Sequence, residues 1–558
     1  MMRVLGAALR GVCPLALGAL VAACEPTSGP RTDSQTNWYR PCDSDAQCGS
    51  LSCLCGACTR VCDADATCAS LEGASCVPAA DAGSVAFCGG QSPDGDGLCL
   101  RRCEDDGCPS GQACVAGACS PLPQPTVRVF ADPSATHQAL IGLGATLAYS
   151  EADVLRHPSG DALVSALFSD LGLDLLRFRN RYGHSGDEDL ASAAGLVALA
   201  TDDLGRAPTV ILSSWSPPAA LKANGTLECR GDPDTCTLAR AEDGGFDYAG
   251  FATYWRDSLD AYAAAGLTPD FIGVQNNPDF VPEAAAPGEA CRFLPTEGTT
   301  TALVSGVATE VEYPGFAEAL AAVVDALDGL AAPPRILAPE TSGIYGVAEY
   351  VGALDPTSVD ALAHHLYGTD PAAVDLDSLA ALGDLGQRLD LPLLQTEMLA
   401  DGFGTAVLAH HALTTEGAAA YVQGVLAALG TSATVTPGTL VALGVEDFTL
   451  EDAYHALRHF AHDTDPGWLR VDAGSDAEDL LVSAWRSPDA DALTLVIVNA
   501  AAAELDATVD LGDLSPTSST VTRTVFDGVE RSAELGALPA EGTLRVPGRA
   551  IVTVALRL

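Results

Sequence analysis

From residue 126 onward the apolar positions fall into two alternating patterns. Short, nearly continuous apolar runs occupy 140–147, 173–179, 209–215, 271–276, 335–338, 359–365, 391–397 and 419–425. A strand buried on both faces reads this way, because neither face needs polar side chains. Between these runs lie alanine-rich stretches with helical spacing of apolar residues, such as 252–265 and 316–330. Eight such strands alternating with helices predict an α/β fold, a closed (β/α)8 barrel over 126–467. Near Trp468 the pattern changes. The runs 480–485, 492–499, 507–511, 520–526, 542–546 and 551–556 are short, alternating and separated by Gly, Pro, Asp and Ser. They predict a β-sandwich domain over 468–558, with 126–130 as a short strand ahead of the barrel.

The beginning of the chain carries a different signal. Arg3 and Arg10 precede an apolar stretch, 12–23, that ends Val21-Ala22-Ala23-Cys24. It is too short to span a bilayer comfortably and has the form of an export signal. Small residues before a cysteine predict a lipoprotein signal peptide over 1–23, cleavage before Cys24 and a lipid on Cys24. Residues 24–41 then form a tether. The expected location is the bacterial cell envelope, outer membrane or cell surface, with the membrane as a partner through the lipid.

Cysteine usage agrees with export. Fourteen of the 19 cysteines fall within 42–119. An even number in a short, loop-rich segment predicts a disulfide-rich module, its connectivity open. The spacing is loosely repetitive, since Cys42-Asp43-Ser44-Asp45-Ala46-Gln47-Cys48 is echoed by Cys62-Asp63-Ala64-Asp65-Ala66-Thr67-Cys68. A zinc knuckle at 53–58 is disfavoured because the module contains no histidine. Cys229 and Cys236 bracket a loop and predict a local disulfide, which leaves Cys291 over.

Charge excludes one class of partner. The chain carries 74 acidic against 28 basic side chains, a formal net charge of −46, and Lys222 is its only lysine. Nucleic-acid binding needs a basic face, so none is expected. Gly142-Leu143-Gly144 lacks the third glycine of a dinucleotide site, and no cofactor is expected. His455, His459 and His462 share one helical face but lack the glutamate of a zincin; helix packing is the expectation, and no metal.

Two strand ends carry the chemistry: Val274-Gln275-Asn276-Asn277-Pro278-Asp279-Phe280 and Leu394-Gln395-Thr396-Glu397-Met398. Barrel active sites stand at such ends. These stretches belong to an ordered series with Leu175-Leu176-Arg177-Phe178-Arg179-Asn180, Ser213-Ser214-Trp215-Ser216-Pro217-Pro218, Cys291-Arg292-Phe293-Leu294-Pro295 and His365-Leu366-Tyr367-Gly368. The series resembles glycoside hydrolase family 30, in its xylanase-like branches, across roughly 130–558. The resemblance implies a retaining endo-xylanase-like site for a β-linked, xylan-like polysaccharide. In it Glu397 is the nucleophile and Arg177 holds that nucleophile ionised. Asn276 contacts the sugar next to the reacting carbon, while Trp215, His365 and Tyr367 line the pocket.

Two positions depart from that pattern. Asn277 stands where the family has its acid/base glutamate, and an amide has no proton to give at neutral pH. Gly424 stands where a strand-eight tryptophan platform is common. A retaining glycosidase needs two carboxyl groups about 5–5.5 Å apart. The expectation is therefore a carbohydrate-binding pseudoenzyme whose hydrolysis is weak or lost. Two alternatives stay open: an active retaining β-glycosidase that uses a displaced acid, Glu283 or Glu289, and a surface adhesin or scaffold.

Overall fold

The computed structural model describes residues 38–40, 42, 48, 51–54, 57–71, 73–78, 97–103, 112–115, 118–121, 127–184, 188–512 and 514–558. The expected signal segment 1–23, Cys24 and most of the 24–41 tether lie outside the described residues. The chain divides into two compact units, Met1–Gln124 and Pro125–Leu558.

In the first unit short antiparallel strands are cross-linked rather than packed on a large core. The disulfides are Cys42–Cys53, Cys48–Cys58, Cys62–Cys76 and Cys68–Cys99, and Cys103 and Cys119 are also disulfide-bonded. In each of the two successive runs of five cysteines, 42–58 and 62–99, the first pairs with the third and the second with the fifth. The repeat seen in the sequence is thus a repeat of connectivity. Cys53 and Cys58 are consumed by disulfides, so they hold no zinc. The apolar core here is small, chiefly Tyr39, Val77, Leu98 and Leu100. Cross-links that restrict the unfolded chain replace the burial such a segment cannot supply.

In the second unit eight parallel strands close into a barrel in sequential order. They are β1 (Gly142–Leu147), β2 (Leu175–Arg179), β3 (Thr209–Ser213), β4 (Phe271–Gly273), β5 (Arg335–Thr341), β6 (Ala361–His365), β7 (Leu393–Met398) and β8 (Ala420–Gln423). Every apolar run assigned to a barrel strand is one. Leu175, Ile211, Phe271, Leu337, Ala361, Leu394 and Val422 fill the interior. Residues one position away, such as Leu176, Leu212 and Leu393, pack outward on the helices. That period of two puts Arg177 on the inside of β2, one layer above Leu175. The alternation is interrupted by register shifts in β5, β6 and β7, near the catalytic-face ends.

The sheet domain is the expected sandwich, built from one continuous nine-stranded sheet that folds over itself. Its wings meet where the Asn499 amide donates to Val546 O at 3.0 Å and Arg523 Nη1 donates to Arg545 O at 3.4 Å. A single core, with Val129, Val482, Leu495, Val509, Val546 and Val554, lies inside. The strand ahead of the barrel is longer than the 126–130 predicted. It runs Val127–Ala139 and joins Leu469–Ser475 to Leu505–Asp510. Asp132-Pro133-Ser134 hid the extension, because proline and polar residues read as a turn. The barrel's last helix, Asp452–Ala461, packs on this sheet through His459, whose ring nitrogens meet Thr553 Oγ1 at 2.8 Å and Thr524 Oγ1 at 2.9 Å. The histidine face is a packing face, as its sequence suggested.

Candidate active site

Arg177 is the centre of the barrel mouth. Its side chain is fully buried, so every N–H needs a partner. Nη1 donates to Glu397 Oε2 at 2.6 Å, and Nη2 donates to Asn276 Oδ1 at 2.7 Å. Nε and Nη2 both reach Glu340 Oε1, at 3.2 and 2.9 Å. The guanidinium also lies over the Trp215 ring, 4.4 Å from its centroid. Burial pulls the arginine's pKa down, but Glu340 and Glu397 more than offset it, and the net shift is upward. Arg177 is a permanent cation shared by two carboxyl groups.

Glu397 is held from two sides. Arg177 takes Oε2, and the Tyr367 hydroxyl donates to Oε1 at 2.7 Å. Burial, then the adjacent carboxylate, raise the tyrosine's pKa, so Tyr367 stays a phenol and a donor. Glu397 lines a cleft of about 420 Å³ with Trp215, Tyr149, Thr146, Leu399 and Gly424. Asp153 and Leu429 line both this cleft and a neighbouring groove. His365 is fully buried beneath Tyr367, ring centroids 5.9 Å apart, and neither of its nitrogens is bonded. Burial, with Arg177 adding to it, holds the imidazole neutral. Four of the residues singled out with Glu397 (Arg177, Asn276, Trp215 and Tyr367) are therefore brought together around it. His365 is a supporting side chain beneath them.

Glu340 is the site residue that sequence reasoning missed. It stands at the end of β5, two residues past the stretch predicted as strand, with a left-handed φ of 56°. Burial raises its pKa; Arg177 and the Ser213 hydroxyl at 3.1 Å oppose the rise. A signal did exist. Gly273 breaks an apolar strand, and glycine in a strand marks close approach of another group. A Cβ there would stand 1.8 Å from Glu340 Oε2.

Asn277 sits past the end of β4 with φ 47°, a left-handed conformation that asparagine tolerates better than most residues. Its N–H donates to Glu340 O at 3.0 Å, and its side-chain oxygen is buried and unbonded. Of the two nearby acids weighed as substitutes, Glu283 is exposed. Glu289 is engaged, its Oε1 2.5 Å from Arg179 Nη1. At Gly424 a tryptophan would not fit as the backbone stands. A Cβ would lie 2.9 Å from Met398 O and 2.8 Å from Leu399 Cγ.

The expected loop disulfide Cys229–Cys236 is present, and Cys291 is a free, fully buried thiol. Burial pushes that thiol up to about 12, which leaves it unreactive. Lys222 is buried beside it, donating to Ser216 Oγ at 3.2 Å, to Leu227 O at 3.3 Å and to Ala290 O. It ties the loop after β3 to the loop after β4.

These features define a (β/α)8 barrel with an attached sheet domain and a carboxylate-bearing cleft at the catalytic face. No family model matches the chain, and no curated protein matches it. Solved structures do. A family 30 endoxylanase from Clostridium papyrosolvens C71 is 19% identical with TM-score 0.57, over 77% of this chain and 100% of that one. The catalytic domain of a family 30 xylanase C from Talaromyces cellulolyticus is 17% identical with TM-score 0.58, over the same shares. An endo-β1,6-glucanase is 14% identical with TM-score 0.55, over 79% of this chain and 96% of that one. At these identities the likeness establishes the fold.

Proposed function

We propose that this chain is a glycoside-hydrolase-like protein of the cell envelope that engages a β-1,4-xylan-type polysaccharide and cleaves sugar–sugar bonds weakly or not at all. One observation carries the reading. Arg177 and Tyr367 both donate to Glu397, as a nucleophilic carboxylate would be held, while residue 277 is an amide. The first half of a retaining reaction needs both an attacking carboxylate and a proton for the departing sugar alkoxide. Without that proton a glycan is bound and held, and its bonds last. General acid/base help is worth about 10²–10⁴-fold, so Asn277→Glu should raise xylan hydrolysis by that factor. Glu397→Gln in the same background should abolish it. Reducing-end release from glucuronoxylan measures both; ready hydrolysis by the unsubstituted protein would sink the proposal.

The competing reading, an active glycosidase with a displaced acid, has Glu289 as its candidate. Its Oε1 is committed to Arg179, which favours the pseudoenzyme. The disulfides of the first unit support export, since such bonds persist in oxidising compartments. Attachment through a lipid on Cys24 is the proposed anchor. Radiolabelled palmitate should be incorporated in a bacterial host and lost in Cys24→Ser; equal labelling of both would exclude it.

A further inference from the structure

A second cavity, of about 900 Å³, lies where β1, β7 and β8 begin, and is lined there by Ile141, Leu393 and Ala419. β7 starts at this cavity and carries Glu397 near its other end, so the two sites stand at opposite ends of the barrel. The helix Leu376–Leu389 and the sheet-domain strand Val127–Ala139 supply further lining, as does Arg470 on the strand Leu469–Ser475. Half-buried arginines of this unit mostly meet carboxylates, as Arg181, Arg458, Arg523 and Arg531 do. Arg470 is half-buried and meets none among the described residues. Its one hydrogen bond runs from Nε to Gln138 Oε1 at 3.0 Å. The Gln138 amide nitrogen donates in turn to Leu413 O at 2.7 Å and to Ala418 O at 3.0 Å, which turns its oxygen toward the arginine. The guanidinium is thus held by Nε, and Nη1 and Nη2 are left without partners. Burial lowers the arginine's pKa, and Asp472, itself beside His137, offsets only part of that.

An arginine always carries its charge, so a half-buried one with its fork open lacks a counter-ion. The group that matches two parallel N–H donors is a carboxylate, bound through both oxygens. The rest of the lining selects what that carboxylate is attached to. Asp384 and Asp390 line the cavity at exposed positions. They repel a dianion such as phosphate more than a monoanion, and they accept hydrogen bonds from hydroxyl groups. Thr136 and Gln387, also exposed on the lining, offer both donors and acceptors. The volume is that of a small-molecule site. We infer that this cavity is a second binding site, for a small hydroxylated monocarboxylate of the sugar-acid type, whose carboxylate sits on Nη1 and Nη2 of Arg470. The net charge of −46 acts against any anion. Beyond about 10 Å, however, that repulsion is screened at about 0.1 M salt, whereas the contact with the fork is local.

The inference does not rest on the proposed function, because no residue of the Glu397 cleft takes part in it. The full chain is titrated by calorimetry, at about 0.1 M salt, with D-gluconate, with sorbitol and with inorganic phosphate. Sorbitol has the same polyol chain as gluconate and no carboxylate. Gluconate is expected to bind about tenfold or more tightly than either, the factor that a hydrogen bond to a charged group supplies. Arg470→Met should weaken gluconate binding by about the same factor, and Glu397→Gln should leave it unchanged. Arg470 is half-buried and makes one hydrogen bond, so the variant should fold, with an unchanged unfolding midpoint as the check. The comparison of gluconate with sorbitol needs no variant. Absence of gluconate binding, equal binding of sorbitol, or unchanged affinity in Arg470→Met would overturn the inference and leave the proposed function standing. Phosphate bound as tightly as gluconate would overturn it as well, since the cavity would then hold any anion. So would a loss of gluconate binding in Glu397→Gln, which would put the ligand in the other cleft.

Discussion

At the residue scale the site is an arginine shared by two acids. Arg177 and Glu340 are both fully buried, and Glu397 is nearly so. Removing the cation strands Glu340 in a dry interior and leaves Glu397 without its partner at the cleft wall, which costs more than breaking a surface ion pair. Arg177→Met is expected to lower unfolding stability by about 3–5 kcal/mol, because both acids must then take up protons or drag in water. Urea unfolding at pH 7 reads this directly. A loss under 1 kcal/mol would show that Glu340 is already neutral and that the pair with Glu397 contributes little. Glu397, Arg177, Asn276 and Tyr367 were legible in sequence because each follows an apolar run at a strand end, in an ordered series of motifs. Glu340 was not. The predicted strand ends at residue 338, and a register shift between Pro339 and Thr341 puts the glutamate inside. No local pattern announces such a shift. Gly273 did, but only as a space whose occupant lies 67 residues away in sequence, at Glu340.

At the scale of elements, burial on both faces is the strongest sequence signal, and this explains which parts could be read. The eight barrel strands are apolar throughout and sit where the runs predicted. Their ends are less regular. β4 was expected to reach Asn276, yet ladder pairing stops at Gly273. The segment 274–277 leaves the sheet as the chain turns into the left-handed conformation at Asn277. Arg177 and Glu397 carry the site from within the ladder, whereas at β4 it is the polar residues following the apolar run that reach the site. The sheet domain shows the converse case. Val127–Ala139 alternates exposed and half-buried positions along most of its length. Only its first residues carry apolar alternation, and the rest is held by pairing with Leu469–Ser475, far away in sequence. The cysteine module is a third case. Its repeat was visible in the spacing, but its connectivity depends on which sulfurs the turns bring together.

At the scale of the whole second unit, barrel and sheet meet along the helix Asp452–Ala461, and His459 is a fully enclosed polar group in that seam. It is buried, it bonds two threonines of the sheet, and burial lowers its pKa to about 3. Arg458, His455 and His462 face it from the same helix and push in the same direction; the sheet offers it only hydroxyls. Its ring is therefore neutral in the folded protein, while in the unfolded chain it titrates near 6.5. Below pH 6.5 the unfolded state binds a proton that the folded state refuses. The stability this neutral seam contributes is thus complete above pH 6.5 and is lost progressively as pH falls toward about 3. The slope for one such group is about 1.4 kcal/mol per pH unit. His459→Gln keeps an amide able to reach the same threonines and removes the titration. Comparison with this variant cancels the many other groups that titrate on acidification. Between pH 6 and pH 4.5 the unsubstituted protein should lose about 1.4 kcal/mol per pH unit more than the variant. Parallel curves would mean that the seam opens to water before the rest of the unit unfolds, so that barrel and sheet do not melt as one body.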